Sequence, residues 1–258
     1  LVDESLYKNE YSNFGLVINQ TSPEFVFITA INPQELANKY ISLLLNLNKN
    51  KLSLGDLVYV SNDILTDDLS KYVIGFIQLD NLNLTIGSDC FDSWQTTSVA
   101  AEKGKGPLLY SIAASWAKKE GGIKNKITPH RKSVRPGAIE VWKQTYKHRN
   151  DFKTFKFDDK NNPKTPELFD DCDIYDTGIL GLTKRDNFYL NFAYEIKAPI
   201  NYEVFIVSFE QFINKLSEDM LEIFNTSDAN IDLNKIKKHL TNFVSTRIGD
   251  TYFQQRYK

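Results

Sequence analysis

Residues that carry metal, redox and disulfide chemistry are scarce in this chain: its 258 residues include two Cys, three His and one Met. Cys90 and Cys172 stand far apart without a framework spacing, so free thiols in a reducing compartment are expected rather than a stapled fold. His130 and His148 have no cysteine or carboxylate at zinc-site spacing. Asp170, Asp171, Asp173 and Asp176 lack the pattern of a calcium loop. Their negative charge disfavours a thiolate at Cys172, which argues against nucleophilic catalysis there. No apolar run approaches the roughly 18 residues of a membrane span, and neither a membrane span nor a secretion leader is expected from the stretch that starts at Leu1. The string Gly104-Lys105-Gly106-Pro107 is not a P-loop, and a Rossmann fingerprint would need a glycine where Leu109 stands. Zinc-finger, RNA-recognition and helix-turn-helix signatures are absent as well. Sequence-specific nucleic-acid recognition is therefore not expected, and contact with phosphates would be salt-dependent and indifferent to sequence.

What the chain has is core-forming material. It is 41% hydrophobic and 25% charged, with seventeen Phe and 13 Tyr, which describes a folded protein of one large domain or two smaller ones. A net charge of −2 conceals a strong asymmetry. Residues 103–149 are rich in Lys and Arg, whereas Asp151, Asp158, Asp159, Asp170, Asp171, Asp173 and Asp176 follow in the next stretch. The two segments are expected to meet, with Asp158, Asp159, Asp170 or Asp171 near residues 124–135, or else the acidic one borders a site for a cation.

Periodicity predicts strands over residues 14–19 and 24–30, then a helix capped by Asn32 with Pro33 in its first turn and Leu36, Tyr40 and Leu44 on its apolar stripe. Residues 55–60 and 72–79 read as further strands, the second interrupted by Gly75, where a bulge or a close approach is expected. Residues 91–100 are extended. The clearest helix follows at 107–117, with Leu108, Leu109, Ile112, Ala113 and Trp116 on one face. A second helix opens at Pro136 with Ala138, Val141, Trp142 and Thr145 inward. Strands over 188–196 and 202–209, helices over 209–224 and 233–245, and a tail from 247 that docks on the core complete the reading.

The string Ala101-Glu102-Lys103-Gly104-Lys105-Gly106-Pro107 joins an extended run to the clearest helix. Glycines one residue apart permit close backbone approach, and a helix start offers N–H groups without intrahelical partners. With Lys103 and Lys105 alongside, an anion such as pyrophosphate would be held there; a tight turn before a proline-started helix is the other reading.

This strand, glycine turn and helix, followed by a second helix with Ala138-x-x-Val141-Trp142, resembles the GNAT-type N-acetyltransferase fold. Through Gly104-x-Gly106-Pro107-Leu108-Leu109-Tyr110, Thr128-Pro129-x-Arg131 and Ala138-x-x-Val141-Trp142 the chain is also similar to an acetyltransferase-like family of tailed phages. The resemblance covers about residues 72–150. It implies an α+β fold, a mixed sheet with flanking helices, a V-shaped opening near Ala100 and a C-terminal helical extension, with residues 1–200 as core and 201–258 packed on it. It implies acetyl-CoA as cofactor, its pyrophosphate on Ala101, Lys103, Gly104, Lys105 and Gly106 and its pantetheine arm along Ser98, Val99 and Ala100. Ala101 stands where the family has Arg or Gln. An amine would be the acceptor, with Asp92 as base and Tyr146 as acid, since Trp142 occupies the position of the family's tyrosine. The other implied role is a noncatalytic phage structural or interaction protein whose aromatic, basic tail contacts a protein partner. Host cytoplasm is the expected location, or the virion in the second case; no membrane association is expected.

Overall fold

A computed structural model of the chain describes residues 14–47, 52–81, 93–130, 134–156, 188–225 and 232–256. Strands β1 (Gly15–Ser22), β2 (Phe25–Ile31), β3 (Val73–Asp80) and β4 (Trp94–Ala101) form an antiparallel meander. Beyond it lie β5 (Ile127–Pro129), β6 (Phe152–Lys156) and β7 (Phe192–Ile196), in the sheet order β1-β2-β3-β4-β5-β7-β6. The β4–β5 pair is the parallel step in a sheet whose other neighbours run antiparallel. Its crossover is helix α3 (Gly106–Glu120), as a parallel pair requires a long connection.

The remaining helices are α1 (Pro33–Asn46), α2 (Leu54–Thr66), α4 (Pro136–His148), α5 (Glu203–Asn225), α6 (Leu233–Asn242) and α7 (Gly249–Arg256), the last two joined by a π-helix at Phe243–Ile248. The result is a mixed sheet flanked by helices with a C-terminal helical extension, the architecture expected from the sequence. One face of the sheet packs on α3 through Leu109, Ile112, Ala113 and Trp116, and α4 adds the buried Trp142. The other face carries Leu36, Tyr40 and Leu44 of α1, Leu57, Val60 and Ile64 of α2, and Phe243, Val244, Ile248 and Tyr252 from the C-terminal segment. Helix α5 lies along edge strand β1, with Phe205 edge-on to Phe14 in the first core and Phe209, Ile213, Leu216 and Met220 in the second. Gly75 is the close approach its position suggested: a β-carbon there would stand 2.3 Å from Leu109 Cδ1, so the missing side chain lets α3 settle onto β3.

Two expected strands are helices. Residues 55–60 belong to α2 because Ser53 and Asp56 form a capping box: the Asp56 N–H donates to Ser53 Oγ (3.3 Å) and the Ser53 N–H to Asp56 Oδ2 (2.7 Å). Leu57, Val60 and Ile64 then recur at helical spacing. Residues 203–209 open α5, where the alternation of a short window gives way to a stripe from Phe205 through Phe209 to Ile213 and Leu216. The run at 188–196 divides into a 3-10 turn at Phe188–Asn191 and β7, and β5 and β6 had no forecast at all. The tail does dock on the core, through Tyr252 and Phe253.

Among the described residues, the basic band pairs both with Asp151, the first residue of the acidic stretch, and with carboxylates further along the chain. Lys118 Nζ donates to Glu195 Oε1 (2.9 Å), Lys119 pairs with Glu203 (3.2 Å) and Arg149 pairs with Asp151. Asp158, Asp159, Asp170 and Asp171 lie outside the described residues, as do Cys90, Cys172 and Asp92.

Candidate functional site

The geometry of interest starts where β4 and β5 part. Their ladder runs from Trp94↔Ile127 through Gln95↔Thr128 to Thr96↔Pro129, while β4 continues to Ala101 with β3 alone beside it in the ladder. Ser98, Val99 and Ala100 therefore fall on the half of β4 that borders the opening. The fork is pinned from below. Thr96 Oγ1 donates to the Thr128 carbonyl (3.1 Å), and Trp94 and Trp116 meet edge-on at 5.0 Å. At the fork β4 also carries a bulge: Gln78 faces Ser98 and Leu79 faces Thr96, leaving Thr97 as the extra residue.

The glycine turn lies at the far end of β4. The Glu102 N–H extends the strand by donating to the Ile74 carbonyl (2.8 Å), and the Lys105 N–H closes the turn on the Glu102 carbonyl (3.0 Å). Gly104 holds φ +85°, a left-handed value that a β-carbon penalises, and a side chain there would meet nothing within 4 Å. The first helical bond is from the Leu109 N–H to the Lys105 carbonyl, so the N–H groups of Gly106 and Leu108 precede the ladder, and Pro107 contributes none. No side chain caps α3 and no acidic residue stands in its first turn; α4, starting after Arg135, shares both features.

These two helix starts, the turn and the open half of β4 enclose a cleft of about 490 Å³. Val99, Ala101, Gly104, Gly106, Tyr110 and Val141 line it, together with two arginines, Arg135 and Arg149, and two glutamates, Glu102 and Glu140. Arg149 is anchored: it pairs with Asp151, donates to Ser111 Oγ (2.9 Å) and lies over the Phe152 ring. Burial pushes the Asp151 carboxyl up, but the Arg149 guanidinium outweighs it and holds the group below the ordinary carboxylate range. A second cavity of about 190 Å³ adjoins the cleft, sharing Val99, Tyr110, Arg135 and Ala138 with it. Its walls include Trp142 from the α4 side and Phe253 of α7 from the opposite face, so the opening reaches through the sheet at the fork. Thr96, Thr97 and His130 complete that inner end.

The structure brings together Val99, Ala101, Gly104 and Gly106 on the cleft wall, with Ser98 and Ala100 on the same stretch of β4. Lys103 is exposed and Lys105 half-buried beside the turn, and neither side chain is among the lining groups. Tyr146 sits on α4 with its ring 5.0 Å from that of Phe192 and is not among the residues that line either cavity. The phenol at the cleft is that of Tyr110, whose buried ring stacks edge-on against Trp142 at 4.7 Å. Sequence reasoning treated Tyr110 as part of a motif string only. Arg149 and Arg135 also went unnoticed as site residues.

Among the described residues no cluster of His, Cys, Asp or Glu could hold a metal ion, and no helix is long and apolar enough to cross a membrane. No family model, curated protein or solved structure matches the chain.

Proposed function

We propose that the protein is an acyl-CoA-dependent N-acyltransferase, with acetyl-CoA as the simplest donor. The observation that carries this reading is the forked parallel pair: β4 and β5 separate after Thr96, α3 crosses between them, and the open half of β4 leads straight to the Gly104/Gly106 turn. A flexible pantetheine arm would add itself to β4 along Ser98, Val99 and Ala100 as an extra strand does. The pyrophosphate would rest on the amides of Gly106 and Leu108, assisted by Lys103, Lys105 and the α3 dipole. The residues present fit such a group, because Gly104 presents no side chain and a β-carbon at Gly106 would touch only Val141 Cγ2 at 3.6 Å. The acid that protonates the departing thiolate is assigned to Tyr110 in preference to Tyr146, since Tyr110 faces both cavities.

Calorimetry with acetyl-CoA tests the reading. Gly104→Val forces a β-branched residue into the left-handed region, a strain of about 1–2 kcal/mol. If that strain opens the turn, affinity falls by about tenfold, since 1.4 kcal/mol corresponds to one decade. A folded wild type that shows no heat with acetyl-CoA, or a variant that binds as well as wild type, removes the proposal.

A second reading, a noncatalytic scaffold that contacts a protein partner, draws on Trp142. This residue fills the place of the tyrosine implied by the family resemblance and is buried between Tyr110 and Tyr194. Acetyl-CoA binding without turnover across a broad panel of amines would favour it.

A further inference from the structure

The smaller cavity differs in charge from the cleft it adjoins. The cleft sets Glu102 and Glu140 against Arg135 and Arg149, whereas the smaller cavity has Arg135 and His130 in its lining and no carboxylate. Asp80 stays behind that wall: Thr97 Oγ1 donates to its Oδ1 (2.9 Å), and Asp80 itself is not a lining residue. Thr96 Oγ1 likewise commits its proton to the Thr128 carbonyl, so recognition of a ligand's charge falls to Arg135 and His130. Val134, Ala138, Trp142 and Phe253 make the apolar part of the wall. A cation here would meet a guanidinium that keeps its charge throughout the physiological range, whereas an anion would accept charge-assisted hydrogen bonds in a poorly hydrated setting. Val99, Tyr110, Arg135 and Ala138 border both spaces, so a group that leaves the cleft past Val99 enters the smaller cavity directly. One water needs about 10–15 Å³ of such space, and the cavity's 190 Å³ therefore admits a chain of several heavy atoms, well beyond the methyl of an acetyl group.

We propose that this cavity is a carboxylate subsite and that the transferred acyl group is dicarboxylic, of the succinyl or glutaryl type, with its far carboxylate on Arg135 and His130. The inference rests on the acyltransferase reading for the thioester but makes a separate claim about the class of acid that is carried. The thioester would lie where the arm along Ser98, Val99 and Ala100 nears the fork. From there the methylenes would pass Val99 and Ala138 along the apolar wall, and the planar guanidinium would take the far carboxylate through paired N–H groups.

Small fragments test the subsite without coenzyme A. In the wild-type protein the His130 ring signals, followed by NMR, should shift saturably with monomethyl succinate and stay in place with the uncharged dimethyl ester. No shift with the monoester, or equal shifts with both esters, overturns the proposal, whatever acetyl-CoA does. A shift with glycine but none with the monoester would give the subsite to the acceptor and overturn the donor assignment. Calorimetry supplies the link to the thioester. Succinyl-CoA should bind wild type about tenfold more tightly than acetyl-CoA, the scale of one charge-assisted hydrogen bond. Arg135→Gln should abolish that preference and bring the two donors within about twofold of each other. A preference that survives the substitution, or a wild type that binds both donors alike, rejects the assignment. If neither thioester binds while the monoester still shifts His130, the carboxylate subsite stands and the acyltransferase reading falls.

Discussion

Helices on the two sides of this sheet begin in opposite ways. Helix α1 opens under the Asn32 side chain, α2 under the Ser53/Asp56 box and α6 under Asp232, each satisfying its early amides within the chain. Helices α3 and α4 open with proline and no cap, and both of these starts face the cleft. A capped start is a finished local structure, whereas an uncapped one keeps its donors and its positive dipole end available to whatever enters. The difference lies in single residues, Lys105 and Arg135 against Asn32, Ser53 and Asp232.

The comparison can be pushed hardest through the packing that holds α4 in place. Trp142→Ala empties a fully buried site between Tyr110 and Tyr194 and should cost about 3–5 kcal/mol of unfolding free energy, read by denaturant titration. A loss below about 1 kcal/mol would mean that the cleft wall does not depend on this ring.

A paired exchange tests the starts themselves. Ser53→Ala should lower stability by about 0.5–2 kcal/mol and leave acetyl-CoA binding unchanged. Arg135→Asp should do the reverse. The backbone at position 135 is already extended (φ −75°, ψ 154°), so the new carboxylate can cap α4, with a gain of up to about 1 kcal/mol, while its charge weakens anion binding in the cleft. Equal effects of the two substitutions on binding would erase the distinction between the helix classes.

The smallest effect concerns the capped side alone. His239 Nε2 meets Ser61 Oγ at 2.7 Å, and Ser61 in turn contacts the Tyr40 hydroxyl at 2.8 Å. Burial, with Arg247 adding repulsion, lowers the His239 imidazole below its usual range. The unfolded chain therefore takes up a proton first, and stability present above about pH 6.5, the ordinary histidine value, declines as the pH falls toward the folded value. His239→Gln should flatten the melting temperature between pH 7 and pH 5; an unchanged slope rules this histidine out as its source.

How far the sequence reveals this arrangement depends on how locally each feature is encoded. The α1 stripe of Leu36, Tyr40 and Leu44 and the glycine turn before α3 are local, and they appear in the structure where the sequence puts them. The capping box of α2 is local too, but the apolar run behind it reads as a strand until Ser53 and Asp56 are taken together. Strand β5 is three residues long and owes its existence to β4 and β7 on either side, so no window of sequence contains its cause. The same holds for the site. Gly104 and Gly106 carry their own signal, whereas Tyr110 and Arg149 gain meaning only when α3 and α4 are assembled around them.

The π-helix between α6 and α7 fixes which residues reach that assembly. An α-helix turns about 100° per residue, and a wide i→i+5 turn absorbs one residue more than the regular spiral. From Gly249 onward the helix is set back in phase by that one residue. In an unbroken helix the direction now taken by Phe253 would belong to Tyr252, and Phe253 itself would turn about 100° away from Phe76. Point substitution in α7 changes what is presented to the sheet but not the direction in which it points. Rotating the whole C-terminal wall would instead take the gain or loss of a single residue within Phe243–Ile248, a change of length rather than of chemistry.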